Sequence, residues 1–599
     1  MKQKTLRAAL AAPKIKLLSP FENARIFAQC AIDAASGGAD IIVFPELAIT
    51  GATAGSLFFG ELVTASSEEA LLDYAKRTEK LSLTSFVGLP IRSSENIYNA
   101  VAVVREGKIF GLYLSDNVRG VFSCGTDFDG KIKIGNSEIT ASCSFIYEEP
   151  RTRAKIAIKT GDSLSTKVDG VDLAVIPYAA EEYVGRGEVE IEIGKEMSYY
   201  LGCPVIRVGA GEGESGTDGV FAAPRGVYDG ERVLYTAPLF DKEIKYVDVE
   251  PKRSVESVCY ARERNEEVKK SPFIPEDKEK RDAASALAIE RASRGLAERM
   301  ARSYSTHLVI GVSGGLDSTL ALLVAARAVD ILGYGRDRII AVTMPCFGTS
   351  SRTKSNALAL ASELNCTAKT IDIKAAVLQH FNDIGHKEGV YDVVYENSQA
   401  RERTQVLMDI ANAVGGLVVG TGDLSELALG FATYNGDHMS MYCVNGSIPK
   451  TFMREIIRYA ASVEKNAGRD KLCEVLLDVV NTPISPELLP NDGGESSQYT
   501  EEIVGPYELH DFFLYYTVKR GYSPKRILGY AIELFPEHKA DDIKKYLDTF
   551  LRRFYTQQFK RSCMPDGPRV TEITLSPRGA WHMPSDISPS LWRDNIKDW

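Results

Sequence analysis

The chain has 599 residues, of which 44% are hydrophobic and 25% charged, and this size and composition indicate a globular protein with more than one domain. Its formal net charge of −10 argues against a general nucleic-acid-binding protein, which would carry a basic surface. No apolar run approaches the roughly 20 residues that span a bilayer, so we expect a cytoplasmic protein without membrane association.

Residues 1–265 alternate strand-like and helical segments, which predicts a layered α/β domain. The strand-like runs are short and apolar, and include Ile41–Phe44, Phe86–Leu89, Ala100–Val104, Ile156–Ile158, Leu173–Ile176 and Val205–Val208. A charged stretch without periodicity follows, and it contains Ser271-Pro272-Phe273-Ile274-Pro275. We therefore predict an interdomain linker at 266–282 and a second domain at 283–599.

The second domain begins with a predicted helix, Ala283–Met300, and continues with strands that are separated by helical segments. That order is typical of a doubly wound parallel sheet. The predicted strands are Leu308–Val312, Ile339–Thr343, Ala368–Ile373 and Gly416–Gly420.

The turn Ser313-Gly314-Gly315-Leu316-Asp317-Ser318-Thr319 joins the first of these strands to a helix. Two glycines let backbone N–H groups approach phosphate oxygens, and the helix N-terminus adds positive potential. The lysine of the common P-loop is absent, so a cation held by Asp317 would have to help neutralise the phosphates. The element resembles the loop of ATP pyrophosphatases, which split ATP between its α- and β-phosphates. The alternative is a glycine-serine turn that binds no nucleotide.

A second polar segment, Gly420-Thr421-Gly422-Asp423-Leu424-Ser425-Glu426, follows the strand 416–420 at its carboxyl end, where open α/β sheets place ligands. Glu426 and Asp317 would project from neighbouring strand ends, and two converging carboxylates can hold Mg²⁺. For Asp423, an N-cap of the following helix is an equally good interpretation.

From Leu308 to about Asp586, the sequence closely resembles the synthetase domain of NAD⁺ synthetases, in the large two-domain form that normally takes nitrogen from glutamine. The resemblance extends over separate motifs, namely 313–319, 347–354, 397–403, 420–426, 431–437 and 558–561. It implies an ATP-pyrophosphatase fold, also described as adenine nucleotide alpha hydrolase-like.

The resemblance also implies roles for individual residues. The expected ATP contacts are Ser313, Gly314, Gly315, Leu316, Asp317, Ser318, Thr319 and Thr421. The expected deamido-NAD contacts are Asn397, Glu426, Phe431, Ala432, Thr433, Tyr434 and Lys560. One arginine of the segment 397–403 is expected to bind phosphate, and we place Arg401 among the binding residues. Asp317 and Glu426 would share Mg²⁺, and together with Lys560 they are the expected catalytic residues.

The implied reaction is an ATP-dependent C–N ligation. ATP would adenylate the nicotinate carboxylate of deamido-NAD with release of pyrophosphate, and ammonia would then attack the acyl-adenylate to give NAD⁺ and AMP. No side-chain nucleophile is required, but the site must orient two nucleotides and exclude water.

The first domain resembles a nitrilase-type amidase, an αββα sandwich, with Glu46 at the position of the general base. It departs from that family at the catalytic lysine, where Ser115 stands, and at the nucleophilic cysteine, where Thr160 stands in Lys159-Thr160-Gly161-Asp162. The glutamine-recognition segment is also altered, to Pro177-Tyr178-Ala179-Ala180-Glu181. A threonine hydroxyl is far less acidic than a thiol and needs a well-placed base.

These departures predict an NAD⁺ synthetase joined to a pseudo-glutaminase, with ammonia supplied from solution or by a separate amidotransferase. The first domain would persist as a scaffold for a homo-oligomer or bind a regulatory ligand. The alternatives are a glutamine-dependent enzyme with an unusual nucleophile, a relocated nucleophile at Cys124 or Cys143, a different ATP-pyrophosphatase reaction, and a nucleotide sensor without turnover.

Overall fold

The computed structural model of the chain describes residues 5–162, 168–252, 267–348, 351–482 and 505–597. The chain forms two compact units. The amino-terminal unit is Met1–Ser215 with Val220–Arg264, and the carboxyl-terminal unit is Gly216–Gly219 with Asn265–Trp599. Among the described residues, no helix is both long enough and apolar enough to cross a bilayer.

The amino-terminal unit contains three α-helices and fourteen strands in its described part. The helices are α1 (Pro20–Ser36), α2 (Glu61–Arg77) and α3 (Arg186–Leu201). The strands are β1 (Leu6–Leu10), β2 (Ile41–Val43), β3 (Thr84–Ser93), β4 (Asn96–Arg105), β5 (Lys108–Leu114), β6 (Asp129–Ile134), β7 (Ser137–Ser142), β8 (Ile146–Glu148), β9 (Lys155–Ile158), β10 (Leu173–Tyr178), β11 (Val205–Gly209), β12 (Arg225–Asp229), β13 (Arg232–Thr236) and β14 (Lys245–Val249).

These strands form an eight-stranded sheet in the order β14-β1-β2-β3-β4-β5-β7-β6 and a six-stranded sheet in the order β13-β12-β11-β10-β9-β8. One core joins α1 and α2 to the first sheet through residues such as Phe27 and Tyr74. A second core lies between the sheets, where Val43 and Val175 are buried, and a third joins α3 to the second sheet. This layering confirms the predicted αββα sandwich. Because β2 and β10 are covered on both faces, they are continuous apolar runs.

The carboxyl-terminal unit has a five-stranded sheet. Its strands are β15 (His307–Gly311), β16 (Ile339–Thr343), β17 (Thr367–Thr370), β18 (Gly416–Gly420) and β19 (Tyr442–Cys443). Its described helices are α4 (Lys278–Arg302), α5 (Leu316–Leu332), α6 (Ser351–Glu363), α7 (Lys374–Asp383), α8 (Val393–Val414), α9 (Leu424–Leu429), α10 (Lys450–Asn466), α11 (Asp470–Asn481), α12 (Tyr507–Val518), α13 (Pro524–Leu534), α14 (Ala540–Thr556), α15 (Gln558–Arg561) and α16 (Ser590–Asp594).

The strand order of this sheet is β17-β16-β15-β18-β19, and every neighbouring pair is parallel. Helices α7 and α8 pack on the sheet through a core that includes Val309, Val342 and Val418. Helix α5 contacts β15 and β16 and packs with α4 and α10. The predicted doubly wound parallel sheet is therefore confirmed, and its carboxyl edge carries both polar motifs.

Helix α4 begins at Lys278, earlier than the predicted start at Ala283. The side chain of Asp277 accepts a hydrogen bond from the Lys280 N–H at 2.9 Å and caps this helix. The stretch that we interpreted as the linker, 266–282, thus includes the first turn of α4, and its residue 266 lies outside the described residues.

Candidate active site

The turn between β15 and α5 opens the site in the carboxyl-terminal unit. Gly314 has a φ of +88°, and a Cβ there would lie only 2.1 Å from the carbonyl oxygen of Thr353. A side chain at position 314 would therefore collide with protein backbone, and the contact of Gly314 with phosphate stays a prediction. Gly315 is the N-cap of α5, and its N–H donates to Ser313 Oγ at 3.2 Å. The positive end of α5 thus lies at this turn, as the sequence predicted.

A cavity of about 380 Å³ lies at the carboxyl ends of β15, β16 and β18. The predicted residues that line it are Ser313, Gly315, Leu316, Asp317, Ser318, Thr421, Glu426 and Phe431. Thr319 is instead fully buried within α5, where its Oγ1 donates to the Gly315 carbonyl at 2.8 Å. The Thr319 side chain thus bonds to the backbone of the turn and does not line the cavity. The motif residues Thr349 and Ser350 lie outside the described residues.

Three carboxylates meet at one side of this cavity. Oxygen atoms of Asp317, Asp423 and Glu426 all lie within 4.8 Å of one another. Asp423 also caps α9, because its Oδ1 accepts the Glu426 N–H at 2.8 Å. The N-cap interpretation of Asp423 is therefore confirmed, and its carboxylate also belongs to the acidic cluster, while a role in binding Mg²⁺ stays a prediction. Three carboxylates supply the hard oxygen ligands that Mg²⁺ prefers.

Lys450 lies among these carboxylates. Its Nζ is 2.8 Å from Asp317 Oδ1, 2.6 Å from Asp423 Oδ2 and 2.9 Å from Glu426 Oε1, and its side chain is 1% exposed. Burial would lower the pKa of Lys450, but the three carboxylates raise it well above its usual value. Burial, opposed by the nearby ammonium, raises the pKa of Glu426 to about 7. The cluster thus combines three acidic groups with one ammonium group.

Sequence reasoning missed Lys450. The residue follows Pro449 at the start of α10, far along the chain from the phosphate loop. One local signal was present, because a lysine in the first turn of a helix faces the positive end of the helix dipole. Such an unfavourable position indicates that acidic groups from elsewhere in the fold compensate for it.

Apart from Glu426, which belongs to the carboxylate cluster, the predicted deamido-NAD residues lie in or near the segment 430–434. Thr433 Oγ1 donates to Asn397 Oδ1 at 2.8 Å. Lys560 Nζ donates to the carbonyls of Gly430 at 2.8 Å and Ala432 at 2.6 Å. Burial and the neighbouring Arg553 lower the pKa of Lys560. Lys560, which lies in α15, therefore holds the backbone of residues 430–432 in place.

The two arginines of α8 point to different places. Arg401 is exposed, and its Nε and Nη2 each lie 3.3 Å from the Tyr434 carbonyl oxygen. Arg403 lines the 380 Å³ cavity and donates to the Met344 carbonyl at 3.3 Å. The arginine that reaches the cavity is therefore Arg403, and Arg401 belongs to the group around residues 430–434.

In the amino-terminal unit, the residues that we assign to the amidase positions also lie close together. Thr160 Oγ1 donates to Ser115 Oγ at 2.7 Å, and the two residues are 0% and 1% exposed. The Ser115 N–H donates to the Asn99 carbonyl at 2.8 Å, and Asn99 Nδ2 donates to Glu46 Oε1 at 2.5 Å. Burial raises the pKa of Glu46, although Arg119 and the Asn99 amide oppose it. Two buried hydroxyl groups thus contact each other, and their assignment to the positions of the amidase thiol and ammonium stays a prediction.

The neighbours of these two residues form a buried ion pair. Lys159 Nζ lies 2.9 Å from Asp116 Oδ2, and both side chains are 1% exposed. The Tyr113 hydroxyl donates to Asp116 Oδ1 at 2.8 Å. This pair fastens the end of β5 to the end of β9, and hence one sheet of the sandwich to the other.

Known proteins resemble this chain along its whole length. Residues 288–546 match the family model described as NAD synthase. The chain is 31% identical to the glutamine-dependent NAD(+) synthetase of Mycobacterium leprae, over 99% of this chain and 98% of that protein. The chain belongs to the glutamine-dependent NAD⁺ synthetase family. It is also 27% identical to the protein of the same description from Thermotoga maritima, over 91% of this chain and 92% of that protein.

Two solved structures share the fold of this NAD⁺ synthetase. The glutamine-dependent NAD(+) synthetase of Cytophaga hutchinsonii superposes with a TM-score of 0.79 at 17% identity, over 99% of this chain and all of that one. The structure from Acinetobacter baumannii, solved in complex with ADP, has a TM-score of 0.63 at 19% identity, over 96% and 98% of the two chains. The predicted family is thus confirmed, and the chain is an enzyme of the C–N ligase class.

We expect Gly314→Ala to lower kcat/KM for ATP in this synthetase by at least about tenfold. A positive φ strains an alanine by about 1–3 kcal/mol, and its Cβ would push the Thr353 carbonyl away. Steady-state kinetics with varied ATP would measure the loss. Gly529→Ala in α13 is the control, because nothing lies within 4 Å of that position, and it should behave like the wild type. Unchanged ATP kinetics in Gly314→Ala would contradict the expected strain.

Proposed function

We propose that this NAD⁺ synthetase amidates deamido-NAD with free ammonia and does not release ammonia from glutamine itself. The observation that carries the proposal is the hydrogen bond between Thr160 and Ser115. The resemblance assigns these two residues to the positions of the amidase cysteine and lysine, and it assigns the general base to Glu46.

The environment of Thr160 supports this proposal. An attacking hydroxyl must lose its proton to a base, yet the Thr160 hydroxyl donates to another neutral hydroxyl, that of Ser115. Thr160 is also 0% exposed, which supports a packing role for this side chain. The ammonium next to this pair, Lys159, lies 2.9 Å from Asp116 and is held by that ion pair.

The segment that we assign to glutamine recognition, 177–181, also makes contacts within the protein. The Ala179 carbonyl accepts a hydrogen bond from Arg119 at 3.0 Å. The ring of Tyr178 is buried, and the guanidinium of Arg207 lies 4.1 Å from its centroid. Backbone and side chains here make internal contacts, which supports the loss of glutamine binding.

In the carboxyl-terminal unit, we assign ATP to the 380 Å³ cavity and Mg²⁺ to Asp317 and Glu426, with Asp423 beside them. The ADP in the related Acinetobacter structure supports a nucleotide site in this fold. Bound Mg²⁺ would neutralise phosphate charge and stabilise the leaving pyrophosphate. The α5 N-terminus and Lys450 would supply the protein's own positive charge.

Deamido-NAD is assigned to the group around residues 430–434. Asn397, Arg401, Thr433 and Tyr434 would contact it, with the backbone of Ala432 and the ring of Phe431 between the two nucleotides. Lys560 would act by holding the Gly430 and Ala432 carbonyls in place. The protein's task is then to align the nicotinate carboxylate with the α-phosphate of ATP and to exclude water from the acyl-adenylate.

The test is NAD⁺ formation by the full-length protein with deamido-NAD, ATP and Mg²⁺, with either ammonium or glutamine as the nitrogen source. We expect turnover with ammonium and none with glutamine. Turnover with glutamine would show an unusual nucleophile and overturn the proposal. Binding of ATP without turnover under either condition would indicate a nucleotide sensor.

Thr160→Val separates the remaining interpretations of the amino-terminal unit. We expect its ammonium-dependent kcat to stay within about twofold of the wild type, because the hydroxyl takes no part in that reaction. If the wild type uses glutamine, a loss of that activity in Thr160→Val, Cys124→Ser or Cys143→Ser identifies the nucleophile. Burial raises the pKa of Cys143, which argues against a thiolate there.

Two further parts of the proposal concern partners. Ammonia would reach the site from solution or from a separate amidotransferase, and the amino-terminal unit would serve as a scaffold in a homo-oligomer or bind a regulatory ligand. A mass measurement of the protein in solution tests the first role of that unit. Glutamine-dependent turnover that appears only when a second purified protein is added would establish the separate donor.

A further inference from the structure

Helix α10 carries Lys450, but its own sequence gives it no cap. The N-cap residue is Pro449, which has no side-chain acceptor for the first N–H groups of the helix. Those N–H groups find acceptors on two other helices. The Lys450 N–H donates to Ser425 Oγ of α9 at 2.8 Å, and the Thr451 N–H donates to Asp511 Oδ2 of α12 at 3.1 Å.

Asp511 is the residue on which these contacts converge. Its Oδ1 accepts from Ser425 Oγ at 2.5 Å, and its Oδ2 accepts from Thr451 Oγ1 at 2.6 Å as well as from the Thr451 N–H. Asp511 is 2% exposed. The Asp511 carboxylate thus binds Thr451 directly. It is also linked to the Lys450 N–H through the hydroxyl of Ser425.

The ligand cluster depends on both of the elements that Asp511 joins. Ser425 immediately precedes Glu426 in α9, and Lys450 is the first residue of α10. The ammonium of Lys450 lies in the first turn of its helix, where the helix dipole is unfavourable to a cation. A carboxylate at the same helix end offsets that repulsion. Burial raises the pKa of Asp511 to about 6, so the group is mostly ionised at pH 8.

We propose that Asp511 is a positioning residue, which holds α9 and α10 in the register that places Lys450 and Glu426 beside Asp317. The residue touches neither nucleotide and acts through Ser425 and Thr451. This inference rests on the proposed ATP and Mg²⁺ roles of Lys450, Glu426 and Asp317.

The test is Asp511→Asn in the full-length protein, assayed at pH 8 with ammonium. The amide nitrogen of asparagine is a donor and would face the Ser425 hydroxyl, so the hydrogen bond that this hydroxyl donates to Asp511 is lost while size is kept. We expect kcat/KM for ATP to fall between about tenfold and about 100-fold, since small misplacements of a charged group have effects of this size. The KM for ammonium should stay within about twofold of the wild type.

Mn²⁺ binding in the absence of ATP gives a readout that does not depend on turnover. We expect its dissociation constant to rise several-fold in Asp511→Asn. Glu508→Gln, an exposed position on the same helix α12, is the matched control and should leave both measurements unchanged. If Asp511→Asn does not fold, Thr451→Ala and Ser425→Ala each remove one of the contacts and should show the same ATP-specific loss.

The proposal is overturned if a folded Asp511→Asn protein keeps the ATP kinetics and Mn²⁺ affinity of the wild type. It is also overturned if kcat falls only in proportion to the folded fraction while KM for ATP and Mn²⁺ affinity do not change. Lys450→Met separates this failure from a failure of the proposed site. If Lys450→Met is as active as the wild type, the assigned ATP role is wrong; if it is inactive while Asp511→Asn is normal, only the positioning role is wrong.

Discussion

Lys450→Met is expected to lower kcat/KM for ATP by about 100-fold to 1,000-fold, the usual effect of removing one charged group that stabilises a transition state. The Lys450 ammonium lies within 2.9 Å of Asp317, Asp423 and Glu426. It is the cation that the fold brings to the carboxylate cluster, where pyrophosphate would leave. Steady-state kinetics with ATP, deamido-NAD and ammonium would measure the loss.

The control for Lys450→Met is Lys465→Met, which removes an exposed lysine near the other end of α10 and should not change the kinetics. Lys450→Arg should remain impaired, because a planar guanidinium does not fit a site shaped for a compact ammonium. Near-normal activity in Lys450→Met would show that the ammonium only balances charge in the ligand-free protein. A proportional fall in folded protein, measured by circular dichroism, would point to stability in place of catalysis.

The phosphate loop and the motif at Gly420–Glu426 could be predicted from sequence because each is a local pattern. An apolar strand, a glycine turn and a helix follow one another within a few residues, and parallel strands bring their carboxyl ends to one edge. Asp317 and Glu426 are close together for that reason. Lys450 joins them through the tertiary packing of α10 against other helices, among them α4 and α5, which no local pattern encodes.

The distinction between local sequence pattern and tertiary packing also explains why neighbouring residues of one motif have different contacts. Gly314 and Gly315 look alike in the sequence, yet the first contacts the Thr353 backbone and only the second caps α5. That difference depends on α6, which the chain reaches much later. Likewise Arg401 and Arg403 are two positions apart on one helix, and only the neighbouring strands decide which of them faces the cavity.

In the amino-terminal unit, the resemblance to amidases predicted which residues lie in one site, whereas the periodicity of the sequence predicted only strands and helices. Ser115 and Thr160 follow strands of different sheets of the sandwich, and nothing in the pattern of either strand predicts their contact. Alignment with the amidase motifs assigned them to one site, and they are hydrogen-bonded. The ion pair between Asp116, one residue after Ser115, and Lys159, one residue before Thr160, was not anticipated.

Lys159→Met is expected to destabilise the amino-terminal unit by about 3–5 kcal/mol, because it leaves the Asp116 carboxylate buried without its cation. Both side chains are 1% exposed, and the Tyr113 hydroxyl is a weaker partner for the remaining charge. The double variant Lys159→Met with Asp116→Asn should be more stable than Lys159→Met alone, since it removes the uncompensated charge. Hydrogen exchange of β5 and β9 would report this unit directly.

Tryptophan fluorescence provides an internal reference for that measurement, because Trp581, Trp592 and Trp599 all belong to the carboxyl-terminal unit. Lys131→Met is the matched control, since the pair of Lys131 and Glu138 is 61% and 71% exposed and should contribute less than about 1 kcal/mol. A loss of less than about 1 kcal/mol in Lys159→Met would mean that water reaches Asp116. The expected larger loss would show that a buried charge pair holds together the strand ends that precede Ser115 and Thr160. Lys159 would then have a structural and not a catalytic role at this site.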